Sequence, residues 1–109
     1  MVDRRKSNGC TTIAIHVVLG LSAVPAAAQG DKELGEYLSS ECVTCHQLSG
    51  RYQGIPPIIG WPEASFVEIM NEYREKRRSN PVMQTIVAKF SSEEVAALAA
   101  YFGSMKSKN

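Results

Sequence analysis

The feature that most constrains this chain is one pentapeptide, Cys42-Val43-Thr44-Cys45-His46, which holds two of the three cysteines and one of the two histidines. Three cysteines are too few to build a disulfide framework. A disulfide between positions 42 and 45 would close only a small loop, and it would therefore stabilise the fold little. We expect the pentapeptide to contribute through its chemistry rather than through a cross-link.

The first 28 residues have the pattern of a secretory signal peptide. Arg4, Arg5 and Lys6 form a positive segment, residues 13–24 form an apolar segment, and the alanines at 26–28 are the small residues that signal peptidase reads. An amphipathic or buried N-terminal helix is the alternative, but the order of the segments favours export. We therefore expect residues 1–28 to be removed and residues 29–109 to form one periplasmic domain. A domain this short forms a core worth only about 3–5 kcal/mol, so we expect a cofactor to complete it.

The spacing C-x-x-C-H is the attachment signal of a c-type haem. Two thiols about one helical turn apart can each add to one vinyl group of the porphyrin, and the histidine that follows can bind the iron. A thioredoxin-like pair also uses C-x-x-C, but it expects a βαβ setting. A zinc site needs four ligands, and residues 29–109 have no other cysteine or histidine. The pentapeptide therefore predicts one covalent haem c on Cys42 and Cys45, with His46 as an axial iron ligand.

The hydrophobic pattern predicts an all-α domain. It indicates helices over residues 31–41, 62–77, 83–89 and 91–103, whereas the glycines and prolines of residues 49–60 indicate a loop. Ser91 and Glu94 have the spacing of a capping box, which marks the start of the last helix. Gly35, inside the first helix, is explained either by the close approach of another helix or by simple tolerance. No useful stretch alternates with the period of a β-strand.

The methionines are the main candidates for the second axial ligand, beside a lysine or no ligand at all. Met70 lies within an apolar helical stripe and is explained by core packing, and Met105 lies in a polar tail that we expect to fray. Met83 follows Pro81 in a rigid loop, far enough along the chain from His46 to reach the opposite haem face. We therefore predict Met83 as the second axial ligand. The alternative is an open sixth iron position, as in a haem sensor or a peroxidase-like enzyme.

The order of these motifs resembles that of the small class I c-type cytochromes, and within them the cytochrome subunits of flavocytochrome c sulfide dehydrogenases and related single-haem sulfur-oxidation cytochromes. In that group a P-x-L-x-G pattern precedes a helix ending in Y-R-x-G-x-R, then a methionine loop and a helix ending in A-A-Y. The residues that match the three patterns are Pro56, Ile58 and Gly60; Tyr73, Arg74 and Arg77; and Ala99, Ala100 and Tyr101. Lys76 stands where the second pattern has its glycine.

The resemblance implies a class I cytochrome c-like helical fold wrapped around one haem. Its first helix would cross the last one, so that Gly35 lies near Leu98 and Tyr101. The Pro56 carbonyl would accept a hydrogen bond from His46 and orient its ring. The resemblance also suggests partners for the haem propionates, for which surface packing is an equal explanation from the residues alone. These are Trp61, Tyr73 and Arg77 or Arg78.

The residues and the resemblance together predict a one-electron carrier rather than an enzyme. Histidine–methionine ligation raises the reduction potential and leaves no open iron position. The resemblance implies a redox partner, a flavoprotein subunit that oxidises sulfide, and the apolar residues 55–59 are either a docking surface for it or part of the core. The formal net charge of +1 gives no case for nucleic-acid binding. No apolar run reaches the ~18–20 residues that a membrane span needs.

Overall fold

The computed structural model describes residues 30–106, which form helices joined by loops, with no β-strand among them. In chain order the helices are α1 (Lys32–Leu38), α2 (Ser40–Val43), α3 (Glu63–Arg74), α4 (Pro81–Val87) and α5 (Ser92–Gly103). The all-α prediction is confirmed. The expected signal peptide lies outside the described residues. Within residues 30–106, no helix is long and apolar enough to cross a membrane.

Side-chain caps decide where three of the helices begin. The Asp31 carboxylate accepts a backbone N–H of the first turn of α1 at 3.0 Å. Ser91 and Glu94 exchange the two hydrogen bonds of the predicted capping box, at 3.2 and 2.7 Å, at the start of α5. Asn80 caps α4, and Pro81 occupies its first turn, where a missing N–H leaves no helical bond unmade. Helix α4 therefore starts before the predicted residue 83.

The predicted first helix, residues 31–41, is broken into α1 and α2 at Ser39. The Ser39 hydroxyl donates to the Glu36 carbonyl at 2.7 Å, and the Ser39 N–H donates to the same carbonyl at 3.2 Å. These bonds close a tight turn, since a serine side chain offers the backbone an alternative to the helical bond. The Cys42 N–H then donates to the Ser39 carbonyl at 2.8 Å. As a result, Cys42 lies on a separate helical turn.

Helix α3 ends at Arg74, earlier than the predicted end at residue 77. Lys76 has φ = 59°, in the left-handed region. The Lys76 N–H donates to the Tyr73 carbonyl at 3.1 Å, and the Arg77 N–H donates to the Glu72 carbonyl at 2.9 Å. This pair of bonds is a Schellman motif, which normally places a glycine where this chain has a lysine. The missing glycine of the sequence pattern therefore falls on a strained backbone position.

Helix α1 lies against α5, and the contact depends on Gly35. A Cβ at this position would meet the carbonyl oxygen of Ala97 and would lie 2.8 Å from the Cβ of Tyr101. The prediction that another helix approaches this glycine is confirmed. The approach falls on Ala97 and Tyr101, while Leu98 is buried in the core.

The core lies between α3, α5 and part of the loop that precedes α3. Phe66 of α3 and Phe102 of α5 stack with ring centroids 5.9 Å apart. Ile58 and Ile59 are buried among the core residues, whereas Ile55 is 41 % exposed. The end of the 55–59 segment is therefore core, whereas Ile55 and Pro56 are exposed.

Candidate haem site

A cavity of about 430 Å³ lies beside the core, within the ~300–1,000 Å³ range of cofactor and small-molecule sites. Residues of α2, α3 and α4, of the loop between α2 and α3 and of the loop between α3 and α4 form its wall. The sequence-predicted site residues on this wall are Cys42, Cys45, His46, Pro56, Trp61, Tyr73 and Met83. The wall also has an apolar part that includes Ile58, Phe66, Ile69, Met70 and Ile86. Folding therefore places Cys42, Cys45 and His46 of the pentapeptide on the wall of the same cavity as Met83.

Cys42 lies within the single turn of α2 and Cys45 lies two residues after its end, and both line the cavity. The N–H groups of Cys45 and His46 donate to the Cys42 carbonyl at 3.1 and 2.8 Å, which continues the helical turn through the pentapeptide. Both cysteines are free thiols. Burial, with the neighbouring Glu41 carboxylate, raises the pKa of the Cys42 thiol to about 11. Redox-active C-x-x-C pairs have a lowered thiol pKa, so Cys42 does not suit a thioredoxin-like reaction.

The His46 ring is held by one hydrogen bond. Its Nδ1 lies 2.7 Å from the carbonyl oxygen of Pro56, and this is the bond that the resemblance implied. A carbonyl oxygen only accepts hydrogen bonds, so Nδ1 must carry the ring proton. The lone pair of a neutral ring then lies on Nε2, which is the form that binds a metal. Within residues 30–106, no group of three or more His, Cys, Asp or Glu side chains could hold a bare metal ion.

Two methionines line the cavity. Met83 is half-buried in the first turn of α4, and its N–H donates to the Asn80 side chain at 3.1 Å. The expected rigid loop is therefore a capped helix start. Met70 of α3 is buried at 7 % exposure, in keeping with core packing, but it also reaches the cavity wall. Met105 is partly buried against the core and does not line this cavity.

The two candidate arginines point to different places. Arg77 does not line the cavity; its guanidinium donates to Glu75 at 2.8 Å and to Glu72 at 3.4 Å, beside a second cavity between α3 and α5. Arg78 does line the first cavity. The sequence held a signal for this difference, because a glycine position at Lys76 puts the last arginine of the G-x-R pattern at residue 78.

No family model matches the chain. It is 29% identical over 91 residues to the cytochrome subunit of sulfide dehydrogenase of Chlorobaculum tepidum, and this alignment covers 83% of both proteins. It is 27% identical over 96 residues to cytochrome c4 of Pseudomonas aeruginosa, with 86% of this chain and 47% of the relative covered. It is 34% identical over 67 residues to a thiosulfate dehydrogenase electron acceptor of Stutzerimonas stutzeri, with 59% and 31% covered. These relatives support a class I c-type cytochrome related to those of sulfur oxidation.

These relatives confirm the resemblance seen in the motifs, and they are electron-transfer proteins by name. The match covers most of the sulfide dehydrogenase subunit, whereas the chain spans about half the length of cytochrome c4 and a third of the thiosulfate dehydrogenase acceptor. The chain therefore matches one part of those two longer proteins.

The residues of the cavity fit a haem c. Cys42 and Cys45 supply two thiols, His46 supplies a ring nitrogen with its tautomer set by Pro56, and Met83 supplies a thioether. The apolar part of the wall suits the porphyrin, and Arg78 suits a carboxylate substituent. This is the donor set of a histidine–methionine cytochrome.

Proposed function

We propose that this chain is a periplasmic single-haem c-type cytochrome that carries one electron at a time from a flavoprotein that oxidises sulfide or a related reduced sulfur compound. One observation carries the proposal: Cys42, Cys45, His46 and Met83 line the same cavity, although Met83 is distant from the other three in sequence. A bound haem supplies reversible one-electron oxidation and reduction of its iron.

The residues of the cavity would have distinct roles toward the haem. Cys42 and Cys45 would bind it covalently through thioethers. His46 and Met83 would bind the iron, and the Pro56 carbonyl would keep His46 in the required tautomer and orientation. The partners of the propionates would be Trp61, Tyr73 and Arg78, with Arg78 in place of Arg77.

The first test is the exported protein itself. We expect an intact mass equal to residues 29–109 plus one haem, and a pyridine haemochrome spectrum of a c-type haem. A colourless folded protein would exclude the haem proposal. A mass that retains residues 1–28 would exclude cleavage at the expected site while leaving the haem proposal intact.

The spectrum of the oxidised protein tests electron transfer against a sensor or peroxidase role. With both axial ligands supplied by the chain, no iron position is open to a substrate, so we expect a low-spin ferric spectrum with a methionine–iron charge-transfer band. A high-spin spectrum would favour the alternative.

The partner proposal draws on the named functions of the relatives and on the cavity rim. Ile55 from the loop and Val82 from α4 both line the cavity and are 41 % and 65 % exposed, so apolar side chains flank it from two elements. Exposed apolar surface of this kind is a common mark of a protein–protein interface.

The partner test is haem reduction by sulfide or thiosulfate, measured with and without co-expressed periplasmic flavoproteins. We expect reduction to require one flavoprotein and to slow in Ile55→Ser and Val82→Ser. Tyr37→Ser is the matched control, since Tyr37 is 78 % exposed but does not line the cavity. Equal rates with and without every flavoprotein would remove the partner and leave a general electron carrier.

A further inference from the structure

Two charged side chains, Glu41 and Arg78, line the cavity. Glu41 is already paired, because the Lys89 ammonium lies 3.0 Å from its carboxylate. Among the described residues of the wall, Arg78 therefore carries the one permanent positive charge. That charge lies where it can act on a bound cofactor.

The Arg78 guanidinium is held from one side. Its Nε donates to the Glu72 carboxylate at 2.9 Å, and its Cζ lies 5.6 Å from the centre of the Tyr73 ring. The Tyr73 side chain is also within hydrogen-bonding reach of the guanidinium. Within residues 30–106, Glu72 is the one carboxylate that binds Arg78. An arginine that uses Nε for one carboxylate still has the N–H groups of its terminal nitrogens, which can bind a second carboxylate. The propionates of a haem are such carboxylates.

Glu72 does not line the cavity, and it accepts two hydrogen bonds from Arg78. Its carboxylate binds both Arg78 and Arg77, and its backbone carbonyl accepts the N–H groups of the same two residues, at 3.3 and 2.9 Å. Arg77 has a second carboxylate, Glu75, which does not touch Arg78. Glu72 is therefore the one acidic residue here that orients the arginine of the cavity.

We propose that Glu72 is a positioning residue for the haem. By binding Nε of Arg78 it turns the terminal nitrogens toward a propionate, and through that contact it raises the reduction potential. The inference rests on the proposed function, since it requires a haem in the cavity. The inference also predicts the direction of the effect. A carboxylate that acted only through its own negative charge would lower the reduction potential, whereas Glu72 acting through Arg78 raises it.

The experiment compares reduction potentials of the haem-loaded protein in matched variants. Arg78→Gln should shift the one-electron redox equilibrium constant about threefold toward the oxidised haem. At 59 mV per tenfold change, this lowers the reduction potential by ~30 mV. Glu72→Gln should also lower it, although it removes a negative charge. Glu75→Gln removes the same charge from the same helix end without touching Arg78, and it should leave the potential equal or slightly higher.

A second background separates positioning from charge. Arg78→Lys keeps the charge but has no Nε for Glu72 to hold, so adding Glu72→Gln there should no longer lower the potential. If Glu72→Gln alone folds poorly, Glu72→Asp takes its place, because it keeps the charge but withdraws the carboxylate from Nε of Arg78, and it should also lower the potential. If Glu72→Gln raises the potential as Glu75→Gln does, or lowers it equally in the Arg78→Lys background, the positioning role is excluded while the haem function stands. A wild-type protein without haem would exclude both.

Discussion

Two parts of the cavity wall are built in different ways: the part with His46, called the histidine side, and the part with Met83, called the methionine side. On the histidine side, both cysteines and His46 belong to one pentapeptide, held by the backbone bonds of a continuing helical turn. On the methionine side, Met83 depends on the Asn80 cap and on the chain that leaves α3 through the left-handed Lys76. Consecutive residues define the first side, whereas side-chain caps and a strained turn define the second. We therefore expect the methionine side to be easier to perturb without loss of the fold.

The largest effect should come from breaking the histidine side. Cys42→Ala with Cys45→Ala should abolish covalent haem, and because the haem completes the core, the loss should exceed the ~3–5 kcal/mol that a core of this size supplies. Circular dichroism should then show a largely unfolded chain without a cooperative transition. Cys45→Ala alone keeps one thiol and should give an intermediate result. A double variant that is folded and haem-free would contradict the prediction.

Breaking the methionine side should leave the fold and the attached haem in place. Met83→Leu keeps the side-chain volume but removes the thioether, so it should abolish the methionine–iron band and lower the reduction potential by at least about 60 mV, a tenfold change. Met70→Leu is the control, since Met70 lines the same cavity. If Met70→Leu abolishes the band and Met83→Leu keeps it, the two roles are reversed.

A smaller effect should follow from removing the cap that holds the methionine side. Asn80→Ala leaves the Met83 N–H without its side-chain acceptor and should lower the free energy of unfolding by about 1 kcal/mol. The methionine–iron band should then disappear at a lower temperature than in the wild type. Asn80→Ser retains a capping oxygen and should restore most of the loss. Equal stability of the alanine and wild-type proteins in chemical denaturation would argue against the cap.

The smallest effect should be a gain of stability at the turn before α4. Lys76→Gly places a residue without Cβ at φ = 59° and should raise the free energy of unfolding by about 1 kcal/mol. Lys76→Ala removes the same charge but keeps the Cβ, so it should bring much less of this gain. Chemical denaturation of the haem-loaded proteins measures both. A gain of equal size in the two variants would assign the effect to charge rather than to backbone strain.

Most of the helix starts were predictable because their signals are local. The capping box of Ser91 and Glu94 spans one helical turn, and its hydrogen bonds form as the spacing predicts. The break at Ser39 was not predicted, since the residues around it continue a helical pattern and the choice lies in one hydroxyl bonding to Glu36. The burial of Ile58 and Ile59 was left open for a similar reason: an apolar loop gives no sign of which side it turns to the core.

C-x-x-C-H joins two thiols and a histidine within one helical turn, so the residues alone predict the chemistry of a haem site, and the spacing of apolar residues predicts the all-α domain. Residue order does not show which distant residues share the cavity with the pentapeptide, because that depends on how the helices pack. After the left-handed backbone at Lys76, Arg78 lies at the cavity and Arg77 lies beside Glu75. The spacing of the family pattern points to Arg78 once Lys76 takes the glycine position, but the direction of the side chain itself depends on one φ angle and on the packing around it.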